Sequence, residues 1–228
     1  MTKIGVLVSG GGTNLQAVID RVHHKSGEIA VVIANNADAY GLTRAQNSGI
    51  PTAVVLESDF EDYDAFNAEI IRILKDKGVE LVVLAGYMKI ITPAFVEAYP
   101  NKIVNIHPAL IPSFCGEGYY GLHVHEAVID YGVKVTGATV HFVNEEADAG
   151  PIIAQKTVEV ADDDTPESIQ KKVLEIEHTL LPWVVEQYCL GHITVEGRKT
   201  KITSEPLWPT GMRILTEECR KTKITSEQ

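Results

Sequence analysis

The chain has 228 residues, is 45% hydrophobic and carries a formal net charge of -11, so it can bury a full core while its long-range field opposes a nucleic-acid partner. No apolar run approaches the ~20 residues that cross a bilayer, Met1-Thr2-Lys3 leads straight into a strand-like run without a signal-peptide pattern, and Cys115, Cys189 and Cys219 form no C-x-x-C pair. The expectation is a cytoplasmic protein, without a disulfide framework or a metal site, that works on small molecules and engages neither membrane nor nucleic acid.

Short β-branched runs alternate with amphipathic stretches: Ile4 to Val8 then Leu15 to Val22, Ile29 to Ala34 then Leu42 to Ala45, Thr52 to Leu56 then Tyr63 to Leu74, Leu81 to Ala85 then Pro93 to Tyr99, and finally Ile103 to Asn105. This alternation predicts an α/β fold, a doubly wound and mostly parallel sheet with helices on both faces. The pattern then changes. Val133 to Val143 and Pro151 to Val160 both read as strands, and Asn144 to Gly150 is too short for a helical crossover, so the two are predicted to form a late antiparallel hairpin. A long C-terminal helix is predicted from Thr165, an N-cap residue type followed by Pro166 at the first helical position, to about Leu190.

Four places carry chemistry. Ser9-Gly10-Gly11-Gly12-Thr13-Asn14-Leu15 follows the first strand and opens the first helix, where the amides of Gly12, Thr13 and Asn14 make an anion site. The loop lacks the third glycine of G-x-G-x-x-G and the Gly-Lys-Ser/Thr of a P-loop, which favours a monophosphate ester over a dinucleotide or ATP; read structurally, it merely turns a strand into a helix. Asn105 and His107 stand two apart in extended backbone and face one side together. An amide can donate to an oxygen that becomes negative, and an imidazole can move a proton, a pairing suited to acyl-type transfer; the structural alternative is a turn residue and an ordinary loop histidine.

Asp148, in the acidic turn Asn144-Glu145-Glu146-Ala147-Asp148, would favour the imidazolium of His107 if the fold joins them. Glu177 shares helical spacing with Val173, Leu180 and Val184, so it lies on an apolar face and needs a partner, either a core Arg or Lys or the amine of a substrate. The remaining histidines carry less weight: His123 and His125 read as helix-start residues, His141 as a satisfied sheet residue, and His23 and His24 as the end of an exposed helix.

Ser9 to Leu15, Ala85-Gly86-Tyr87-Met88-Lys89-Ile90-Ile91-Thr92-Pro93, Asn105 to Pro112, Gly121-Leu122-His123 and Asp148-Ala149-Gly150-Pro151 together resemble the phosphoribosylglycinamide formyltransferase family, in order from Lys3 to about Gly191. The resemblance implies transfer of formyl from 10-formyltetrahydrofolate, the co-substrate, to the amine of glycinamide ribonucleotide in purine synthesis, with no metal. It implies a catalytic set of Asn105, His107 and Asp148, and a phosphate site at Gly12, Thr13 and Asn14. Met88, Lys89, Ile90 and Ile91, with Asn105 and the stretch Asn144, Glu145, Glu146, Ala147 and Asp148, would line the folate site. Glu177 would meet the glycinamide end.

The chain departs from that pattern in two places. Glu61-Asp62-Tyr63 stands where some members carry an Arg, and the loop from Ser113 to Tyr120 is longer than the Pro-Gly version, which would reshape the pocket mouth. Residues 1–191 are expected to form the formyltransferase domain and 192–228 an extension, in which Arg198-Lys199-Thr200-Lys201-Ile202-Thr203-Ser204-Glu205 recurs as Arg220 to Glu227. Alternatives differ in acceptor: a methionyl-tRNA formyltransferase would need a further tRNA-binding domain, a formyltetrahydrofolate hydrolase has no use for a phosphate loop, and a nucleotide-binding module would bind phosphate without turnover.

Overall fold

The computed structural model describes residues 1–203; Cys219 and the second copy of the repeat lie outside them. The first half follows the predicted alternation: β1 (Thr2–Val8), α1 (Thr13–Val22), β2 (Gly27–Ala34), α2 (Tyr40–Asn47), β3 (Thr52–Val54), α3 (Tyr63–Asp76), β4 (Leu81–Leu84), α4 (Pro93–Ala98) and β5 (Ile103–His107). After α5 (Leu122–Tyr131) come β6 (Val135–Phe142), β7 (Ile152–Glu159), α6 (Pro166–Cys189), β8 (Ile193–Glu196) and β9 (Lys199–Ile202).

The described strands make one sheet in the order β3-β2-β1-β4-β5-β6-β7-β9-β8. β1 pairs parallel with β2 and with β4, β2 with β3 and β4 with β5, whereas β5 with β6 and β6 with β7 pair antiparallel. The late hairpin is therefore present, and it extends the parallel sheet. Residues 193–202 form a second hairpin, β8 against β9, with β9 beside β7. The described part of the first repeat copy thus lies inside the sheet, and β8 is the outer strand.

Helices cover both faces because the strands are apolar on both sides, as in the fully buried Leu81-Val82-Val83-Leu84 of β4. One core joins α1 and α6 to the sheet through Leu15, Val18, Val22, Val173, Leu180 and Val184; the other packs Phe66, Ile70 and Leu74 of α3 and Phe95 of α4 onto the opposite face. Apart from the short α4, which buries only Phe95, each helix buries residues three and four apart, the stripe that packing onto a sheet requires. Asp62 caps α3 by accepting from the Ala65 amide at 2.7 Å, and Thr165 with Ser168 forms a reciprocal cap on α6, with Pro166 at its first position.

Strand order reverses between β1 and β4, since β2 and β3 lie on one side of β1 while β4 and β5 lie on the other. Loops leaving the carboxyl ends of such strands border an open crevice. Two hydrogen bonds join them here: the Ser9 amide donates to the Gly86 carbonyl at 3.2 Å, and the Met88 amide donates to Ser9 Oγ at 2.8 Å.

Candidate active site

β5 runs through His107 instead of ending at Asn105, because its pairing with β6 continues from Val104↔Phe142 to His107↔Thr139. Val104 and Ile106 enter the core shared with α1 and α6, so Asn105 and His107 point to the opposite face, as the two-residue period requires. Directly across the ladder, Asn105 pairs with His141. The segment from Asn144 to Gly150 folds back over this face and brings in Asp148, whose φ of 54° is left-handed.

The four side chains converge. Asn105 Nδ2 lies 3.2 Å from His141 Nε2 and 3.5 Å from Asp148 Oδ1. His107 Nδ1 is 3.4 Å from Asp148 Oδ2, and His141 Nε2 is 3.5 Å from Asp148 Oδ1. His141 Nδ1 donates to the Phe142 carbonyl at 2.8 Å, which leaves Nε2 of the neutral ring as an acceptor for the Asn105 amide. His141 is a sheet residue, as expected, but it also belongs to the cluster. Its signal was its place opposite Asn105, and that register is not visible in the sequence.

Burial pushes His107 below the ordinary histidine range; Asp148 and the Phe114 carbonyl pull it up, and His141 adds to the lowering. The expectation that Asp148 would favour the imidazolium holds as a contribution, but burial outweighs it. For Asp148 itself burial acts upward, yet the neighbouring His141 ring, the nearby charge of His107 and the Gly116 amide hold the carboxyl below its usual range. The long loop takes part directly, because the Phe114 carbonyl contacts His107 Nε2 at 2.7 Å and the Gly116 amide donates to Asp148 Oδ2 at 3.0 Å. Thr139 fixes the entry to that loop by donating to the Ala109 carbonyl and accepting from the Ile111 amide. His125, at the start of α5 as read from the sequence, is buried near His107 and pushed down to about 4 by that burial first and by His107 second. His123 is exposed beside Glu126.

At the glycine loop, Gly12 takes a left-handed conformation (φ 68°) and supplies α1 with no side-chain cap, and the first turn holds no acidic residue. Its helix N-terminus is therefore left open to an anion. Gly12 is required sterically as well: a Cβ there would lie 2.6 Å from the Gly41 Cα. Thr13 is exposed and Asn14 buried. Arg44 of α2 was not anticipated; its Nε donates to the Gly11 carbonyl at 2.8 Å and its guanidinium stacks 5.0 Å over Tyr40, which sets a cation beside the loop.

Glu177 lies on the buried face of α6, as its spacing predicted, but its partner is neither Arg nor Lys. Asn14 Nδ2 donates to its Oε2 at 2.7 Å. A neutral amide cannot offset the desolvation of a carboxylate as a cation would, and burial pushes the carboxyl up to about 7 against the opposing pull of Asn14. The structure thus joins Glu177 to the glycine loop.

Met88 and Ile90 are exposed, Lys89 is half-buried and Ile91 is buried. Lys89 pairs with Glu57 at 2.6 Å, and the Tyr63 hydroxyl donates to the Ile90 carbonyl at 2.7 Å. Where the resemblance led to an Arg, Tyr63 instead braces the backbone of this segment. Glu145, Glu146 and Ala147 are exposed, whereas Asn144 is half-buried with its Oδ1 buried and unpartnered. Among the described residues, no group of three or more His, Cys, Asp or Glu side chains is arranged to hold a metal ion, and no helix is long and apolar enough to cross a membrane.

The formyl transferase family profile matches residues 2–185. A phosphoribosylglycinamide formyltransferase from Haemophilus influenzae is 40% identical over 213 residues, covering 92% of this chain and 98% of that protein. A chloroplastic phosphoribosylglycinamide formyltransferase from Arabidopsis thaliana is 42% identical over 190 residues, or 82% of this chain, which spans 65% of the plant protein. The crystal structure of glycinamide ribonucleotide transformylase 1 from Symbiobacterium toebii superposes with a TM-score of 0.84 at 41% identity, covering 90% of this chain and 95% of that one. The chain belongs to the formyl transferase family.

Proposed function

We infer that this chain is a phosphoribosylglycinamide formyltransferase, which moves the formyl group of 10-formyltetrahydrofolate onto the amine of glycinamide ribonucleotide in purine biosynthesis. The observation that carries the chemistry is the convergence of Asn105, His107 and His141 on Asp148. Relatives of nearly the same length bear this enzyme's name, which favours it over a hydrolase or a non-catalytic nucleotide-binding module. Residues 1–191 would form the unit that does the chemistry, in a reducing cytoplasm that suits the separated cysteines.

The co-substrate supplies a formyl group bound to nitrogen. Asn105 donates from Nδ2 to the formyl oxygen as it becomes negative; its longer contact, to Asp148, is the one that can be exchanged for this oxygen. A bond forms between the acceptor nitrogen and the formyl carbon while the bond from that carbon to N10 breaks. The proton lost by the acceptor nitrogen reaches N10 through His107 and Asp148, which hold it between them. The folate fit rests on the exposed apolar Met88 and Ile90 beside polar backbone, and on the unpartnered Asn144 Oδ1. Gly12, Thr13 and Asn14 would hold the phosphate, with Glu177 toward the glycinamide amine.

Purified protein incubated with glycinamide ribonucleotide and 10-formyltetrahydrofolate should yield formylglycinamide ribonucleotide by mass spectrometry. Formate without a formylated acceptor would favour the hydrolase. Phosphate-dependent binding with no product would favour the binding module.

A further inference from the structure

We propose that Phe114 is a positioning residue for formyl transfer: its backbone carbonyl holds the Nε2–H of His107, so that Nδ1 is the ring nitrogen left to exchange protons, and its aromatic ring anchors that carbonyl. The inference rests on reading the site as a formyl-transfer centre.

A carbonyl oxygen has no hydrogen to give, so a 2.7 Å contact between His107 Nε2 and the Phe114 carbonyl requires the hydrogen to sit on Nε2. In the neutral ring, Nδ1 is then bare and faces Asp148 Oδ2 at 3.4 Å. Protonation at Nδ1 turns that contact into an ion pair. Asp148 is the more exposed member of the pair, so a proton from the substrate reaches Nδ1 by way of Asp148. The charged and titratable groups around His107 are Asp148 from the turn before β7, His141 from β6 and His125 from α5.

The carbonyl does not find this place through ordinary backbone preference. Phe114 has a φ of 50°, a left-handed conformation that bulky residues rarely adopt. Its ring supplies the compensation, meeting Tyr119 edge-on at 6.3 Å and Tyr131 edge-on at 5.8 Å. Two residues later the same loop donates from the Gly116 amide to Asp148. One loop, anchored on α5 by an aromatic clamp, therefore fixes both partners of the proton pair.

The test uses the full chain labelled with ¹⁵N-histidine, the His107 signals being assigned by their loss in His107→Gln. Long-range ¹H–¹⁵N spectra of the resting protein at a pH where His107 is neutral should show a protonated Nε2 and a bare Nδ1; the opposite tautomer would overturn the proposal. Tyr131 is largely exposed, so Tyr131→Ala spares the core. It should lower kcat by roughly 2- to 10-fold, the scale of one aromatic contact, leave KM unchanged and move the His107-linked limb of the pH profile to lower pH. Tyr131→Phe should restore both. An unchanged kcat and limb in Tyr131→Ala would overturn the anchoring role. Absence of turnover in the unmutated protein would refute the formyl-transfer reading, while the spectra of the resting protein would still decide the tautomer.

Discussion

Asn105 and His141 are paired residues on adjacent antiparallel strands, and the amide nitrogen of one lies 3.2 Å from the imidazole Nε2 of the other. Because His141 Nδ1 donates to the Phe142 carbonyl, Nε2 of the neutral ring accepts. Asp148 Oδ1, the second neighbour of Nδ2, is also an acceptor. An amide turned the other way would set its oxygen against two acceptors, so the network fixes which end of Asn105 is the donor.

Asn105→Ala should lower kcat by roughly 10²–10³ with little change in KM, the effect of removing an oxyanion donor. His141→Ala should lower kcat less, by freeing the amide to turn. The two losses should be strongly non-additive in the double variant, because both act on one hydrogen-bond donor. Additive losses, measured in variants whose circular dichroism matches the parent, would separate the two residues.

Asp148→Asn should move the His107-linked limb of the pH–rate profile to lower pH. Burial already holds His107 below its ordinary range and Asp148 opposes that shift, so removing the charge leaves desolvation less opposed. His107→Ala, expected to lower kcat by about 10²–10⁴, identifies the limb first. A limb that stays in place would leave Asp148 only the task of orientation.

Glu177→Gln should flatten the pH dependence of stability. The folded-state pKa of about 7 lies above the ordinary 4.5, so the folded protein holds a proton that the unfolded chain releases between those values. The stability contributed by this group is therefore complete below about 4.5 and is lost as pH rises through 7. At pH 8 the variant should be the more stable protein, by up to roughly 3 kcal/mol, because Asn14 would face a neutral amide in place of a desolvated carboxylate. Thermal melts from pH 5 to 8 that run parallel for the two proteins would refute this.

Glycinamide ribonucleotide should bind much more tightly than the dephosphorylated riboside, since the open N-terminus of α1 favours an anion. Gly12→Val is a poor probe: a Cβ there collides with Gly41 and φ is 68°, so loss of fold and loss of binding would coincide. Arg44→Gln tests the loop without that collision and should weaken ribonucleotide binding more than riboside binding. Equal calorimetric affinities of the parent protein for the two ligands would reject a phosphate site at this loop.

The sequence by itself determined what depends on near neighbours. The alternation of strands and helices, the antiparallel return at Asn144 to Gly150 and the cap at Thr165-Pro166 follow from periods of a few residues and from turn length. So does the shared face of Asn105 and His107, and so does the burial of Glu177 among Val173, Leu180 and Val184. Tertiary structure decided who meets whom. His141 joins the cluster through strand register, Asp148 through a turn laid back over the sheet, and Asn14 reaches Glu177 across 163 positions of chain. Local periodicity encodes which way a side chain points but not the element it faces, and the balance of burial against charge that holds His107 low and Glu177 high exists only once those distant groups have excluded water.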